Sequence, residues 1–290
     1  MQIQCVAAVR AQLGEGALWD GARGLIWWVD IRCATLHCHE VTTGINHAQL
    51  LECRLTALGL ARGNELVGCG DRGFVRLSVA ADLTVHVSEV IAVPAERPEN
   101  RFNDGKIDDL GRFWAGTMDD AERGAHGALY RLDAGGVITR VRTGITVPNG
   151  PCFLDDGTVL TTDSPRRRIT ALQVDRAGDP VGERVFARFS AAHGFPDGMT
   201  VDADNHVWVA FWDGWCVRRL SPAGQVVAEI PLPVQRPTCP VFGGKDLTQL
   251  YITTATTGLS KAALARQPLA GSLLRCEPGA HGRAPGRFAH

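Results

Sequence analysis

Four short segments of the chain occupy the same phase of an internal repeat. Each begins with a side chain that carries oxygen, and these residues are Glu15, Asn103, Asn149 and Asp197. A strand-like run follows each of them, with Trp27, Trp114, Leu160 and Trp208 lying 12, 11, 11 and 11 residues downstream. Equivalent positions in a rotationally repeated fold lie on one ring. We therefore expect the four side chains to converge at one end of a central axis.

Strand-like segments recur along the whole chain, about every 40 to 48 residues, which is the blade spacing of a propeller. Six such segments lie at residues 25–30, 65–70, 112–117, 158–163, 206–211 and 249–254. Second strands follow most of them, at residues 74–79, 127–133, 168–175, 216–221 and 271–277. Single blades cannot bury their faces alone. The pattern thus predicts an all-β, six-bladed β-propeller that occupies residues 1–290 as a single domain.

The two ends of the chain are expected to close this ring. We predict that residues 3–9 pair with the blade that contains residues 273–276, so deletion of either end is expected to unfold the protein. A short helix is predicted near residues 260–267, and no other segment keeps a helical period over several turns.

Charge and hydropathy narrow the possible partners. The formal net charge is -1, from 30 basic and 31 acidic residues, and no long run of one sign could follow a phosphate backbone. We expect no nucleic-acid partner, and we interpret Arg166, Arg167 and Arg168 as a solvated turn. No stretch is apolar enough to span a membrane. The apolar run at residues 5–9 is too short for a secretory signal, so a cytoplasmic location is predicted.

Nine cysteines are scattered along the chain without a Cys-x-x-Cys pair, a pattern that favours free thiols. One cluster could suggest a site for a soft metal, and it contains Cys33, His37, Cys38 and His39. In an extended strand, however, Cys38 faces away from the two histidines. Buried thiols and edge histidines are therefore the favoured interpretation. Motifs for a serine nucleophile, a Walker loop or a dinucleotide loop are absent from the sequence.

The donor atoms of the predicted ring indicate which ions it could bind. The carboxylates of Glu15 and Asp197 and the amide oxygen of Asn149 are hard donors, suited to calcium, magnesium, manganese or iron(II). The alternative is that all three residues only cap turns. Their matched phase favours a metal site. The two remaining ring positions, counted in the same way, hold Thr56 and Pro240.

Two further groups near the ring could contact a ligand. Arg101 lies two residues before Asn103, where its guanidinium could hold an oxygen-rich ligand. The alternative for Arg101 is a surface ion pair with Glu99 or Asp104. Trp212 and Trp215 could stack on a sugar or could simply pack between blades.

The sequence resembles a known protein family through six short motifs. The matching motifs are Leu13-Gly14-Glu15-Gly16, Arg101-Phe102-Asn103-Asp104-Gly105-Lys106, Ala115-Gly116-Thr117-Met118, Pro148-Asn149-Gly150-Pro151, Phe195-Pro196-Asp197-Gly198 and Cys239-Pro240-Val241-Phe242-Gly243-Gly244. They are similar to those of the six-bladed propellers of the regucalcin (senescence marker protein), gluconolactonase and luciferin-regenerating-enzyme family.

The resemblance implies a sugar lactonase that acts on a pentono- or hexonolactone. It implies one divalent metal held by Glu15, Asn149 and Asp197, with Asp197 as the general base. Arg101 and Asn103 would contact the substrate. Members of the family use calcium, zinc, magnesium, manganese or iron, so the resemblance does not select the ion.

The sequence departs from the family at one acidic substrate contact after the Gly-Thr-Met motif. Ala121 occupies the ungapped position. We predict that Asp120 makes the substrate contact, and the alternatives are that Glu122 makes it or that the contact is missing. Two other functions remain open from the sequence. The first is hydrolysis of another ester, such as a phosphotriester or a larger lactone. The second is a calcium-binding propeller without catalytic activity.

Overall fold

The inner strands of the molecule form a closed ring. A computed structural model describes residues 1–71, 73–93 and 96–289. Within these ranges, 24 strands form six four-stranded antiparallel sheets. The innermost strand of each sheet packs against the innermost strands of the two neighbouring sheets, and the last contacts the first. The sheets are therefore the blades of a six-bladed β-propeller, and the predicted fold class is confirmed.

The chain runs through the blades in order, from the centre of each blade outwards. The first strand, β1 (Gln4–Ala7), precedes the first blade. The first blade contains β2 (Gly14–Asp20), β3 (Leu25–Asp30), β4 (Thr35–Glu40) and β5 (Asn46–Leu50). The second contains β6 (Leu55–Leu60), β7 (Glu65–Gly70), β8 (Gly73–Val79) and β9 (Val85–Ala92). The third contains β10 (Asn100–Ile107), β11 (Phe113–Asp119), β12 (Gly127–Leu132) and β13 (Ile138–Ile145).

The second half of the chain repeats this order. The fourth blade contains β14 (Pro148–Phe153), β15 (Val159–Asp163), β16 (Arg168–Val174) and β17 (Pro180–Arg188). The fifth contains β18 (Phe195–Val201), β19 (Val207–Trp212), β20 (Cys216–Leu220) and β21 (Val226–Pro231). The sixth contains β22 (Pro237–Gly243), β23 (Gln249–Thr254) and β24 (Leu273–Cys276). The helical segments are α1 (Lys261–Arg266) and two 3₁₀ turns, Ser164–Arg166 and Ala191–His193.

The sixth blade is completed by the amino terminus. Strand β1 pairs antiparallel with β24, with Cys5 opposite Leu274 and Ala7 opposite Leu273. This pairing confirms the predicted closure of the ring. The predicted short helix is also present as α1, and the hydroxyl of Ser260 caps it by accepting a hydrogen bond from the Ala263 amide at 3.1 Å.

The blades pack face to face through apolar side chains, and repeated Trp–Asp pairs tie the inner strands together. The indole N–H of Trp114 donates to Asp108 at 2.8 Å, and that of Trp208 donates to Asp202 at 2.8 Å. Both indoles are buried and therefore need an acceptor. Trp114 and Trp208 thus have a structural role within their blades, whereas the buried indole nitrogen of Trp27 has no hydrogen-bond partner among the described residues.

The cysteine-histidine cluster lies in the first blade and is part of its packing. His37 stacks on Trp28 with ring centroids 4.9 Å apart, and Cys38 is buried in the core. Over the described ranges, no group of three or more His, Cys, Asp or Glu side chains has a metal-binding arrangement. All nine cysteines are free thiols.

Every inner strand carries an extra residue close to its start. In β10, for example, Asn103 and Asp104 together lie opposite the single residue Gly116, because Phe102 pairs with Thr117 and Gly105 pairs with Ala115. Register shifts occur at the same level in the other five inner strands, β2, β6, β14, β18 and β22. A β-bulge bends the strand and re-aims its side chains. Six bulges at one level therefore form a ring of redirected residues.

The carboxyl-terminal segment covers the opposite end of the central tunnel. Gly282 bridges to Asp202, and Arg287 bridges to Leu60. The Phe288 amide donates to the Leu60 carbonyl at 2.8 Å, and the Phe288 ring is buried. The segment thus crosses several blades at the end of the tunnel opposite the bulges. None of the helices in the described ranges has the length and apolar character needed to cross a bilayer.

Candidate active site

The bulged end of the tunnel opens into one cavity of about 330 Å³. Its walls include five of the predicted site residues, which are Glu15, Arg101, Asn103, Asn149 and Asp197. Sites for small molecules have volumes of roughly this size. The structure therefore brings together residues that lie up to about half the ring apart, as the shared repeat phase led us to expect. We call this space the upper cavity.

The bulges explain why these side chains face the tunnel. Glu15 and Asn149 each stand immediately before the extra residue of their strand, whereas Asn103 and Asp197 lie within it. Glycine residues stand next to these side chains, at points where neighbouring inner strands approach each other closely. A Cβ atom on Gly198 would lie 2.7 Å from the Thr238 carbonyl oxygen, a distance at which the backbone would have to shift. The glycine in Asp197-Gly198 thus serves close packing of the inner strands.

A chain of hydrogen bonds fixes the orientation of the Asn149 amide. Asn103 Nδ2 donates to Asn149 Oδ1 at 3.0 Å, and Asn149 Nδ2 donates to Ser164 Oγ at 2.9 Å. Ser164 Oγ in turn donates to the Pro196 carbonyl at 2.7 Å. Because Nδ2 is held by Ser164, the oxygen of Asn149 faces Asn103 and the cavity. A carbonyl oxygen has a second lone pair, which leaves this atom able to bind a cation.

The two carboxyl groups of the cavity are almost inaccessible to solvent. Glu15 and Asp197 are 5% and 6% exposed. Burial raises the pKa of Glu15 to about 8, with a further contribution from the Asp104 carboxylate. Burial also raises the pKa of Asp197 well above its usual range, and the charges of Glu15 and Asp104 add to this effect. Such carboxyl groups have a high affinity for positive charge, whether from protons or from a metal ion.

This donor set fits a hard divalent cation. It offers two carboxylates from Glu15 and Asp197 and one amide oxygen from Asn149, and the part of the wall formed by described residues contains no cysteine. Oxygen donors of this kind bind calcium, magnesium or manganese rather than soft ions. Two converging buried carboxylates repel each other when both are ionised. A cation with two positive charges would remove that repulsion.

Arg101 is held rigidly at the edge of the cavity. Its Nε donates to Asp120 Oδ1 at 2.6 Å, and its Nη1 donates to Asn103 Oδ1 at 2.9 Å. The side chain is 4% exposed, so its ion pair is with Asp120 and is not a surface pair with Glu99 or Asp104. Burial lowers the pKa of Arg101, and the Asp120 carboxylate opposes this effect.

Asp120 has a different position from Glu122. Arg54 and Arg101 both donate to the Asp120 carboxylate, and although burial acts in the other direction, these contacts lower its pKa. Among the described residues, Asp120 is absent from the wall of the upper cavity, whereas Glu122 is present. Glu122 also has a left-handed backbone, with φ of 56°. Of these two acidic residues, Glu122 therefore lines the cavity, while Asp120 anchors Arg101.

The aromatic residues near the cavity fall into two groups. Phe195 and Trp212 line the wall, with the guanidinium of Arg236 over the Trp212 ring at 4.6 Å. Trp215 is 43% exposed and does not belong to the wall among the described residues. Asp213 pairs with Arg236 at 2.7 Å. Trp212 therefore lies where an occupant of the cavity can contact it. Asp213 orients Arg236, whose guanidinium lies over the Trp212 ring.

Sequence reasoning missed several residues of this region. Ser164 carries no repeat signal, because its role depends on contacts with Asn149 and Pro196. The position assigned to Pro240 also changes, since Pro240 pairs with Ile252 beyond the bulge and Thr238 lies within it. A fixed count of 11 residues along the sequence does not reveal where a bulge lies. Sequence reasoning also assigned no role in the tunnel to Asp104 or Lys106.

Comparisons with known proteins agree with this geometry. The family described as the SMP-30/Gluconolactonase/LRE-like region has a sequence model that matches residues 13–256. The chain belongs to this family. A putative sugar lactone lactonase, YvrE, from Bacillus subtilis is 33% identical to this family member, over 98% of this chain and 97% of its own length. The pentonolactonase XacC of Haloferax volcanii is also 33% identical, over 88% and 86%.

Among solved structures, the regucalcin of Agrobacterium tumefaciens, which is described as a calcium-binding protein, superposes with a TM-score of 0.92. It is 28% identical, and the match covers 99% of this chain and 97% of that one. The predicted family membership is therefore confirmed, and so is the assignment to a family of lactone hydrolases. The roles of individual residues, the ion and the sugar remain predictions.

Proposed function

We propose that this protein is a metal-dependent sugar lactonase that opens a pentono- or hexonolactone to the aldonic acid. The observation that carries the proposal is the convergence of Glu15, Asn149 and Asp197 in one cavity beside Arg101 and Asn103. Two relatives that cover most of this chain are named as lactonases, and one of them as a pentonolactonase.

Glu15, Asn149 and Asp197 would hold one divalent cation, and the candidates are calcium, zinc, iron(II), magnesium and manganese. When bound, such an ion supplies Lewis acidity that polarises a lactone carbonyl and stabilises negative charge on its oxygen. The hydrogen bonds from Asn103 and to Ser164 keep the amide oxygen of Asn149 in the ligand position.

Asp197 is the proposed general base. Its pKa is raised by burial and by neighbouring carboxylates, and a base of raised pKa accepts a proton more readily near neutral pH. Asp197 takes a proton from water while the water oxygen bonds to the carbonyl carbon. The ring C–O bond then breaks, and the proton passes to the departing ring oxygen. No nucleophilic side chain is required.

Arg101 and Asn103 position the substrate. Arg101 is fixed by Asp120 on one side and by Asn103 on the other, so little side-chain freedom is lost when a ligand binds. Trp212 offers an aromatic face to the sugar ring. The acidic substrate contact of the family is assigned to Glu122, since it lines the cavity, and Asp120 contributes indirectly through Arg101.

A proton-release assay tests the proposal. Chelated protein is supplied with each divalent cation in turn and assayed on pentono- and hexonolactones, with a phosphotriester and a larger lactone as comparison substrates. We expect turnover of an aldonolactone that is lost on chelation and restored by metal. Asp246→Asn, which changes an exposed carboxylate, is the matched control. Unchanged turnover in fully metal-stripped protein would rule out this mechanism, and metal binding without turnover of any substrate would favour a non-catalytic protein.

A further inference from the structure

Two further charged residues, Asp104 and Lys106, belong to an inner strand of the tunnel, and neither is part of the proposed catalytic set. Both residues belong to β10, and the bulge at Asn103 and Asp104 directs consecutive side chains towards the tunnel. Asp104 is 1% exposed. Lys106 is partly buried and borders a smaller lower cavity of about 100 Å³, together with Cys152.

The Asp104 carboxylate is occupied by backbone donors. Its Oδ1 accepts from the Gly105 amide at 2.7 Å, and its Oδ2 accepts from the Gly150 amide at 2.9 Å. Gly150 directly follows Asn149, so Asp104 is tied to the backbone of a candidate ligand strand. Among the described residues, Asp104 is not part of the wall of the upper cavity, so it acts on that cavity through its charge.

Lys106 has no direct carboxylate partner. Its Nζ lies 3.7 Å from Cys239 Sγ, and no ion pair within 4 Å involves it across residues 1–71, 73–93 and 96–289. Burial raises the pKa values of Cys152 and Cys239 to about 12, so these thiols are neutral at physiological pH. The anionic neighbours of Lys106 are therefore Asp104 and Glu15. They favour the charged ammonium, and Lys106 acts on them through space.

The net charge inside the tunnel depends on four ionisable side chains. Burial raises the pKa of all three carboxyl groups, so their full charge develops when a cation displaces their protons. In that state Glu15, Asp104 and Asp197 carry three negative charges and the ammonium of Lys106 carries one positive charge, which gives a net charge of two negative units. Arg101 is excluded because Asp120 neutralises it. Arg32 and Glu122 are exposed at the mouth, where water screens them. One divalent cation would balance the interior.

We propose that Asp104 and Lys106 form a charge-matching layer that sets the preference of the tunnel for one divalent cation over a trivalent cation. Neither residue is a ligand, and each acts on the ion at a distance. Coulomb interactions between partly buried groups decay slowly and scale with the charge of the ion. The inference rests on the proposed function, because it concerns the cation site of that function.

The test measures binding of Ca²⁺ alone and Tb³⁺ alone by titration calorimetry, without substrate. Lys106→Met leaves one more negative charge. We expect its affinity to rise about tenfold for Ca²⁺ and about thirtyfold for Tb³⁺, because the electrostatic free energy grows in proportion to the ion's charge. The ratio of the two affinities is the main readout, since protons compete with both ions. Asp104→Asn should shift this ratio by about threefold in the opposite direction.

The double variant Asp104→Asn with Lys106→Met has the wild-type charge and should bring the ratio back towards the wild-type value, with a smaller deviation than either single variant. Lys106→Arg should also keep it. Lys245→Met, which removes an exposed charge, controls for net charge. Circular dichroism checks the folding of each variant.

Three outcomes would overturn the charge-matching layer. They are an unchanged ratio in both single variants, a change of the same sign in both, and a double variant that deviates more than either single one. If wild-type protein binds Ca²⁺ and turns over lactones while the ratio fails to respond, only this inference fails. If wild-type protein binds neither ion, the metal-dependent function and the inference fail together.

Discussion

The side-chain amide of Asn103 donates a hydrogen bond to the side-chain oxygen of Asn149 across 3.0 Å. The contact joins the inner strands of the third and fourth blades, β10 and β14. It also links the residue that holds Arg101 to a residue proposed to hold a metal ion. If Arg101 binds the substrate and Asn149 the metal as proposed, one hydrogen-bonded chain that continues to Ser164 would couple the two positions.

Ser164→Ala should weaken metal binding about 10- to 100-fold, which is the usual cost of losing a group that orients a ligand. Without Ser164 Oγ, the Asn149 amide loses the acceptor for its N–H group and can rotate. Calorimetric titration with Ca²⁺ or Mn²⁺ measures the change. Thr162→Val is the matched control, because the buried Thr162 hydroxyl has no hydrogen-bond partner within residues 1–71, 73–93 and 96–289. Equal affinities in both variants would contradict the orienting role.

Asp197→Asn should reduce kcat about 10²- to 10⁴-fold at saturating metal, the range typical for loss of a general base. The amide keeps the shape of the side chain but cannot take the proton from water. Initial rates of lactone opening, measured by proton release, give the effect. Glu15→Gln should lose activity chiefly through weaker metal binding, so additional metal should restore more activity to Glu15→Gln than to Asp197→Asn.

Metal-free protein should become less stable as the pH rises from about 4.5 to about 8. The pKa of Glu15 is raised from 4.5 to about 8 in the folded protein, so over this interval the folded state retains a proton that the unfolded state has lost. Stability falls with pH wherever the folded state binds more protons. Glu15→Gln removes this penalty, which is on the order of a few kcal/mol at pH 8.

Thermal unfolding after chelation checks this effect at pH 5 and at pH 8. The Tm of Glu15→Gln should exceed that of wild-type protein at pH 8, and the difference should shrink towards pH 5. With metal present the order should reverse, because the wild-type carboxylate then binds the ion. A variant that is less stable than chelated wild-type protein at pH 8 would show that Glu15 does not carry the penalty.

Asp120→Asn should raise the KM for the lactone roughly tenfold and change kcat less, because it weakens a charge-assisted hydrogen bond that positions Arg101. Asp71→Asn is the matched control, since Asp71 pairs with Arg54 and not with Arg101. Steady-state kinetics on the preferred lactone separate the two parameters. If both variants raise KM equally, the effect belongs to Arg54 and the prediction for Arg101 is wrong.

Deletion of residues 1–9 should prevent stable folding, because it removes β1 and exposes the unpaired edge of β24. Deletion of residues 1–3 leaves β1 intact and should have little effect. Solubility and cooperative thermal unfolding of the two truncated proteins provide the comparison. A soluble, cooperatively folded protein that lacks residues 1–9 would mean that three strands suffice to close the sixth blade.

The number of blades followed from the sequence because it depends on local patterns. Apolar strands separated by turn residues recur at a nearly constant interval, and three of the six predicted blade strands have the predicted bounds, as β3 does. Others differ by one or two residues at their ends, as β11 does at Phe113–Asp119. The repeat phase also identified Glu15, Asn103, Asn149 and Asp197, because rotational symmetry converts equal phase into equal height in the tunnel.

The tertiary structure decided which neighbouring residues act together. The extra residue in each inner strand moved the sixth ring position from Pro240 to Thr238. Long-range contacts placed Asp120 behind Arg101, exposed Glu122 to the cavity and oriented Asn149 through Ser164. Sequence spacing determined where strands begin, since strand formation depends on nearby residues. Bulges, hydrogen-bond partners and the sum of buried charges depend on groups from different blades, and these meet only when the ring has closed.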